Sequence, residues 1–179
     1  MKTDNRLIDQ IESHHGVLLN IAGYGVFITG QAGIGKSSLA LDFLHNGHSL
    51  IADDCVDFKI DSKRLVIGHC PPMLVGFLHT RELGLISLSE LFDTSTWQTT
   101  IQLNFVVHLK KELSFASELS SKSEMHTVCD QSFPLLTLDI NNPATIINRI
   151  NTWLSMQTRD NTAAATLSQR QRVQMESLQ

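Results

Sequence analysis

Short apolar runs separated by glycine or polar turns dominate the first third of the chain. The runs Val17–Ile21 and Val26–Thr29 flank Gly23-Tyr24-Gly25, which predicts two strands joined as a hairpin. Apolar residues then recur at helical spacing, at Leu39, Ala40, Phe43 and Leu44. Asn46-Gly47 predicts the end of this helix, because glycine tolerates the left-handed backbone of a C-cap. The next apolar run, Ser49–Ala52, predicts a strand parallel to the one before the helix, as strand-helix-strand crossovers require.

The central part of the chain continues with strand patterns. Val56–Ile60 and Arg64–Ile67 bracket the polar turn Asp61-Ser62-Lys63, which predicts a second hairpin. A crossover and hairpins together predict a mixed sheet. Ser87-Leu88-Ser89-Glu90 has the form of a capping box and predicts a short helix. The alternation of residues from Ile101 to Leu109 predicts a half-buried strand.

The last third is less regular. Residues 110–130 are rich in Lys, Glu and Ser, which predicts a mobile loop with at most a short helix, and the run from Phe133 to Ile140 predicts a strand. Asn142-Pro143 predicts the start of a helix. Its buried stripe comprises Ile146, Ile147, Ile150, Trp153 and Leu154. From Ser155 onward the chain is polar, so we expect one domain over 1–154 and a disordered or weakly helical tail over 155–179.

Composition narrows the class of protein. With 179 residues, of which 42% are hydrophobic, the chain suits one α/β domain. The formal net charge of -4 provides no general attraction to nucleic acid or anionic membranes. No apolar stretch approaches the ~18 residues of a membrane span, and the first residues lack a signal-peptide core, so we expect a soluble cytoplasmic protein.

The three cysteines, Cys55, Cys70 and Cys129, do not form a recognisable framework. Their odd number and the lack of CxxC spacing disfavour disulfides and structural zinc. His69-Cys70 with His79 is a conceivable metal cluster, but ordinary strand or loop positions are the favoured interpretation.

A complete Walker A motif lies between the second predicted strand and the first predicted helix. It comprises Gly30, Gln31, Ala32, Gly33, Ile34, Gly35, Lys36 and Ser37, with Ser38 following. Glycines let the backbone turn its N–H groups around phosphate oxygens, Lys36 reaches the β- and γ-phosphates, and the Ser37 hydroxyl is placed for Mg²⁺. The positive end of the helix adds to the attraction. The motif therefore predicts binding of a nucleoside triphosphate.

Two acids and a histidine are candidates for the chemistry. Asp53-Asp54 ends the strand after the loop helix, as in a Walker B strand, where one carboxylate serves Mg²⁺ and its neighbour faces the nucleophile. The competing interpretation is that two aspartates simply end a strand in a turn. His15 precedes the first hairpin strand and can approach the phosphates, although on its own it is more readily interpreted as a surface histidine.

These motifs together resemble the catalytic domain of the bacterial HPr kinase/phosphorylases. The resemblance rests on His15-Gly16-Val17, the strand and loop from Gly25 through Ser37, and the segment from Gly47 to Asp54. It continues more weakly through the segment from Leu78 to Ile86, which is similar to the family's Leu-Glu-Ile-Arg-Gly-Leu-Gly-Ile-Ile signature. It covers roughly residues 13 to 154.

The resemblance carries several implications. It implies an α/β, P-loop fold of the phosphoenolpyruvate carboxykinase-like type, with a mixed central sheet and flanking helices. It implies ATP and Mg²⁺ as cofactors, an HPr-like phosphocarrier protein as substrate and a hexameric assembly. Asp53 would be the general base toward a seryl hydroxyl, with His15 and Asp54 supporting the γ-phosphate and Mg²⁺. The long family members have an amino-terminal domain, so this chain is expected to be a short form.

The chain also departs from the family pattern. His79 stands where the signature has glutamate, Glu82 stands where it has glycine, and the segment from Asp93 to Gln98 lacks an expected phosphate-binding arginine. Arg81 is the remaining candidate cation, so we expect the kinase direction to exceed the phosphorylase direction. Two alternatives stay open: a P-loop kinase of a small hydroxylated metabolite, and a non-catalytic nucleotide-sensing module.

Overall fold

The computed structural model describes residues 11–112, 124–159 and 162–176. The strands within these residues are β1 (Glu12–His15), β2 (Val17–Ile21), β3 (Tyr24–Gly30), β4 (Ser49–Ala52), β5 (Cys55–Ile60), β6 (Val66–His69), β7 (Phe77–Thr80), β8 (Gly84–Ser87), β9 (Thr100–Lys110), β10 (Glu124–Val128) and β11 (Gln131–Asp139). The helices are α1 (Lys36–His45), α2 (Leu88–Leu91), α3 (Ile146–Thr158) and α4 (Ala163–Glu176).

A mixed sheet organises most of these elements. Its strands follow the order β1-β5-β6-β9-β3-β2-β4, with the β10–β11 hairpin attached to β9, and β7 pairs with β8 in a separate two-stranded sheet. β3 and β11 both run parallel to β9. β2 lies between β3 and β4 and is antiparallel to both, so β3 and β4 point the same way without being neighbours. Their carboxyl ends therefore share one edge of the sheet, as predicted from the crossover.

Alternating side chains of the central strands supply two apolar clusters. Leu19 and Ile28 face one way and pack with Phe43 of α1 and Ile150 of α3. Their neighbours Leu18 and Phe27 face the other way and pack with residues of β5, β6 and β9. Because the sheet is covered by helices on one face and by its own outer strands on the other, both sets of side chains are buried. The predicted α/β class with a mixed sheet and flanking helices is confirmed.

One predicted helix start and one predicted helix cap differ from the structure. The helix predicted at Asn142-Pro143 begins three residues after the proline, at Ile146, because the Asn142 side chain accepts the backbone N–H of Ala144 at 2.9 Å and forms a turn instead. The predicted stripe is nevertheless correct, since its five members lie in or against the first cluster. Ser87 does precede α2 as predicted, but it makes no side-chain capping bond, so the capping box is wrong.

The region 110–130 was expected to be a loop, and this is wrong for residues 124–128. They form β10, which pairs with β11. Only Val128 is buried in β10. Because the other side chains of this strand are not buried, the strand does not need the apolar alternation by which a half-buried strand is recognised. The rest of the predicted loop, residues 113–123, lies outside the described residues. β9 is more buried than predicted, because Val106 on its expected polar face belongs to the second cluster.

The carboxyl-terminal end is helical where the structure describes it. α3 runs to Thr158, four residues past the predicted domain boundary at 154, and α4 follows from Ala163. In α4 the described side chains are exposed. Across the described ranges, no helix combines the length and the apolar character needed to cross a membrane.

Candidate active site

The phosphate loop joins β3 to α1 as the sequence predicts. Gly30, Gly33 and Gly35 all have positive φ, at 143°, 77° and 103°, and such angles are costly for residues with a Cβ. The backbone can therefore turn sharply between strand and helix. The segment from Ala32 to Ser38 lines a cleft of about 420 Å³, within the range of small-molecule sites.

The lysine of the loop is buried and surrounded by acceptors. Lys36 Nζ donates to the carbonyl oxygens of Gly30 at 3.0 Å and of Gln31 at 3.2 Å, and it lies 3.1 Å from His15 Nε2. Burial lowers the pKa of Lys36, and the nearby Asp54 and Asp53 carboxylates act in the opposite direction. An incoming phosphate would offer this desolvated ammonium a stronger partner than the carbonyls do.

Asp53 is held by partners from two different elements. Its Oδ1 accepts the Ser37 hydroxyl at 2.8 Å, and its Oδ2 accepts the backbone N–H of His79 at 3.0 Å. The residue is only 6% exposed. Burial raises the pKa of Asp53, although both hydrogen bonds oppose the rise. A carboxylate with a raised pKa is a better proton acceptor than an ordinary aspartate.

Asp54 forms the exposed corner between β4 and β5. It has φ 68°, an uncommon angle for a non-glycine residue that aspartate tolerates better than most. His15 Nδ1 lies 3.0 Å from Asp54 Oδ1 and 2.9 Å from the Asp54 carbonyl oxygen. Both of these atoms are acceptors, so Nδ1 carries a proton and Nε2 is free to accept from Lys36. Asp54, His15 and Lys36 thus form a continuous polar chain.

Arg81 lies on the opposite wall of the cleft, at the turn between β7 and β8. A Cβ placed on Gly33 would come within 2.1 Å of Arg81 Nη2. The positive φ of Gly33 favours glycine at this position, and the Arg81 guanidinium lies close beside it. This geometry puts a positive charge beside the phosphate loop.

The donor set around Ser37 suits Mg²⁺. Ser37, Asp53 and Asp54 offer hydroxyl and carboxylate oxygens, which are the ligands this cation prefers. Mg²⁺ usually keeps several waters and binds through one or two carboxylates together with substrate phosphates. No group of three or more His, Cys, Asp or Glu side chains placed to hold a metal occurs among the residues that the structure describes.

The structure brings the predicted site residues together in one place. His15, Ala32 to Ser38, Asp53, Asp54 and Arg81 all line the cleft, while Gly30 and Gln31 reach it through their carbonyl contacts with Lys36. His79 lies in the same cleft. The three cysteines have free thiols.

The segment from Asp93 to Gln98, which lacks the expected arginine, lies elsewhere. Ser49 Oγ donates to the Ser95 carbonyl oxygen at 2.8 Å, and Gln98 N–H donates to the Leu50 carbonyl oxygen at 2.8 Å. These contacts are at the amino end of β4, whereas Asp53 follows its carboxyl end. Within one chain this segment does not face the phosphate loop.

Sequence reasoning missed the contribution of the β7–β8 hairpin beyond Arg81. Thr80 and Glu82 also line the cleft. Strand pairing of Phe77 with Ser87 and of Thr80 with Gly84 forms this hairpin. Gly84, which has φ 78° in the structure, is the residue whose type favours a turn here.

Comparison with known proteins gives a consistent result. The family model "HPr Serine kinase C-terminal domain" matches residues 6–171. The HPr kinase/phosphorylase of Aromatoleum aromaticum is 38% identical over 122 residues, which is 68% of this chain and 39% of that protein. The HPr kinase/phosphorylase of Bordetella petrii is 42% identical over 95 residues, 53% of this chain and 31% of that protein. The chain thus spans well under half the length of these relatives.

A solved structure matches over nearly the whole fold. The chain of the Hpr(Ser) kinase/phosphatase from Coxiella burnetii aligns with a TM-score of 0.71 and 25% sequence identity. The alignment covers 93% of this chain and 94% of that one. The arrangement of strands and helices is therefore shared.

Proposed function

The chain belongs to the HPr serine kinase C-terminal domain family, and from this premise we propose that it is an ATP-dependent protein serine kinase acting on a small HPr-like phosphocarrier protein. One observation carries the proposal. Asp53, a buried carboxylate, contacts the phosphate loop through Ser37 and the β7–β8 hairpin through His79. It therefore stands where a bound phosphate and an approaching hydroxyl group would meet.

Nucleotide binding is assigned to the loop. Backbone N–H groups from Gly30 to Ser38 and the Lys36 ammonium would hold the phosphates of ATP. Ser37 and Asp54 would hold Mg²⁺, which neutralises phosphate charge during transfer. His15 would support the γ-phosphate, because its Nε2 faces the same space as Lys36 Nζ.

Asp53 is assigned as the general base. Burial raises its pKa, which favours uptake of a proton from a seryl hydroxyl. Its Oδ1 is engaged by Ser37 in the structure, so accepting that proton requires the Ser37 hydroxyl to turn away.

The reverse reaction is expected to be weaker than the forward one. Attack by inorganic phosphate on phosphoserine brings two anions together, and that approach depends on fixed cations. Arg81 is placed against Gly33 to supply one. The segment from Asp93 to Gln98 contains no arginine, and within the chain it lies at the end of β4 opposite Asp53.

The direct experiment is phosphoryl transfer. The purified chain is incubated with Mg²⁺, γ-labelled ATP and an HPr-like phosphocarrier, and the product is mapped by mass spectrometry. The proposal predicts label on a serine of the phosphocarrier, appearing far more slowly with Asp53→Asn. Transfer to small hydroxylated metabolites with none to the phosphocarrier would support the metabolite kinase instead. ATP binding without any transfer would support the nucleotide-sensing module.

We also propose a cytoplasmic homo-oligomer, hexameric by family resemblance. The supporting feature is α4, whose exposed residues include Leu167, Val173 and Met175. An isolated helix of this length has marginal stability in water, so contact with a neighbouring copy would stabilise it. Sedimentation equilibrium tests the assembly, and a monomer at all concentrations would contradict it.

A further inference from the structure

The β7–β8 hairpin has one buried and one uncovered face. Leu78, Thr80 and Ile86 point inward and are buried. The alternate residue Phe77 points outward, as does Leu85, which lies directly opposite His79 in the strand pairing. Leu85 is 68% exposed.

The uncovered face is one wall of a second cleft. This cleft of about 220 Å³ is lined on one side by Leu74, Phe77 and Leu85, which we call the acceptor face. Ser37, Asp53, Asp54 and His79 also line this cleft. The same four residues also line the nucleotide cleft, so the two clefts meet at the carboxylates.

A hydrogen bond holds the strand that carries the acceptor face next to the proposed base, Asp53. The backbone N–H of His79, in β7, donates to Asp53 Oδ2 at 3.0 Å. Phe77 lies two residues before His79 on the same face of the strand, and Leu85 lies across from it. A group seated on the acceptor face is therefore held beside the carboxylate.

The chemistry of this wall indicates what it binds. A small hydroxylated metabolite would be held by donors and acceptors, whereas here the wall beyond the carboxylates is apolar and open. Isolated exposed apolar residues are common on surfaces, but convergence of three at the mouth of a polar site indicates a ligand surface. An apolar side chain next to the reacting serine would cover it.

We propose that the acceptor face binds an apolar side chain adjacent to the phosphorylated serine in the acceptor protein. The proposal rests on the protein kinase function and specifies its substrate. Docking of this side chain would bring the seryl hydroxyl toward Asp53, while the loop holds the nucleotide on the other side.

The test uses Leu85→Ser with Leu91→Ser as its matched control. Leu91 is 70% exposed, but it lies in the separate cleft beside Phe92 and Asp93. Two seryl peptides are compared, one with leucine and one with serine beside the phosphorylated residue. Wild type should use the leucine peptide with a KM about tenfold lower, as expected for burial of one aliphatic side chain. Leu85→Ser should remove this preference without changing kcat or ATP affinity, and Leu91→Ser should retain it.

Two controls keep the outcomes distinct. Phe77→Ser should also remove the preference, which guards against a Leu85→Ser variant that fails to fold. If no seryl peptide is phosphorylated, transfer to the phosphocarrier protein decides the proposed function separately, and binding of fluorescent peptides still tests the acceptor face. Equal binding of both peptides to wild type would overturn the proposal. Dissociation of an oligomer by Leu85→Ser, seen by sedimentation, would overturn it too, because the face would then bind a second copy.

Discussion

The phosphate loop and the β7–β8 hairpin form opposite walls of one cleft, but their positions depend on different kinds of contact. The loop's shape follows from local sequence, because its three glycines have positive φ and connect a strand directly to a helix. The hairpin reaches the cleft through long-range contacts, such as His79 N–H to Asp53 and Arg81 against Gly33. Changes in the loop should therefore affect ATP binding, and changes in the hairpin should affect the transfer of the phosphoryl group.

Asp53→Asn, at the junction of the two walls, should have the largest effect. Loss of general-base assistance should slow forward transfer by about 10²–10⁴-fold. ATP affinity should remain, because an asparagine amide can keep partners at both Ser37 and His79. Single-turnover transfer of labelled phosphate measures the rate. A near-normal rate would show that Asp53 is not the base.

Arg81→Ala tests the hairpin wall. Removing a donor that stabilises developing charge typically costs about 10²–10³-fold, so phosphate-dependent dephosphorylation should fall by that amount. ATP affinity should be retained. Release of label from phosphoserine substrate in the presence of inorganic phosphate is the assay. If Arg81→Ala leaves the rate of phosphate-dependent dephosphorylation unchanged, the arginine makes only a surface contact.

Lys36→Ala tests the loop wall. A hydrogen bond to a charged group contributes about 1.5–3 kcal/mol, so ATP affinity should fall by about 10- to 100-fold while the fold stays intact. Calorimetric titration with Mg²⁺ and ATP provides the dissociation constant, and circular dichroism checks folding. An unchanged constant in a folded variant would refute the loop assignment.

Asp53→Asn should also change stability, by a smaller amount and with a defined pH dependence. Burial raises the folded-state pKa of Asp53 above its ordinary value of 3.8. The contribution of this carboxyl to folding is therefore fully present below pH 3.8 and is lost as the pH rises through the raised pKa. The free energy of unfolding of Asp53→Asn relative to wild type should accordingly be greater at pH 7 than at acid pH.

Urea unfolding at several pH values measures this difference. Asp54→Asn is the matched control, because it makes the same substitution at the neighbouring aspartate, whose side chain is 74% exposed. A relative stability of Asp53→Asn that does not change with pH would contradict a buried, shifted carboxyl.

The sequence predicted the local parts of the site better than the tertiary ones. The hairpin, loop and helix from Val17 to Asn46 follow from periodicity and glycine positions, which act within a few residues. His15 meeting Lys36 and Asp54 depends on β1 pairing with β5, a contact between residues far apart in sequence. Family resemblance rather than periodicity identified that histidine.

Other features required the folded structure. β10 was missed because its pairing with β11, rather than its apolar pattern, makes it a strand. The start of α3 was misplaced because Asn142 bonds locally to Ala144 before the helix begins. The acceptor face was missed because Leu74, Phe77 and Leu85 come together only when the hairpin closes beside Asp53. Burial and cross-strand pairing determine all such features, and the pattern of a single sequence gives only a weak signal of them.

The most direct test of the account compares Lys36→Ala and Asp53→Asn in one experiment. Each variant is titrated with ATP and Mg²⁺ by calorimetry, and the same preparation is assayed for single-turnover transfer at saturating ATP to a serine acceptor that wild type phosphorylates. The account predicts a clean separation: Lys36→Ala loses binding, whereas Asp53→Asn binds ATP as wild type does and loses transfer. Loss of ATP binding in Asp53→Asn, or transfer by it at the wild-type rate, would contradict the assignment of binding to the loop and catalysis to the buried carboxylate.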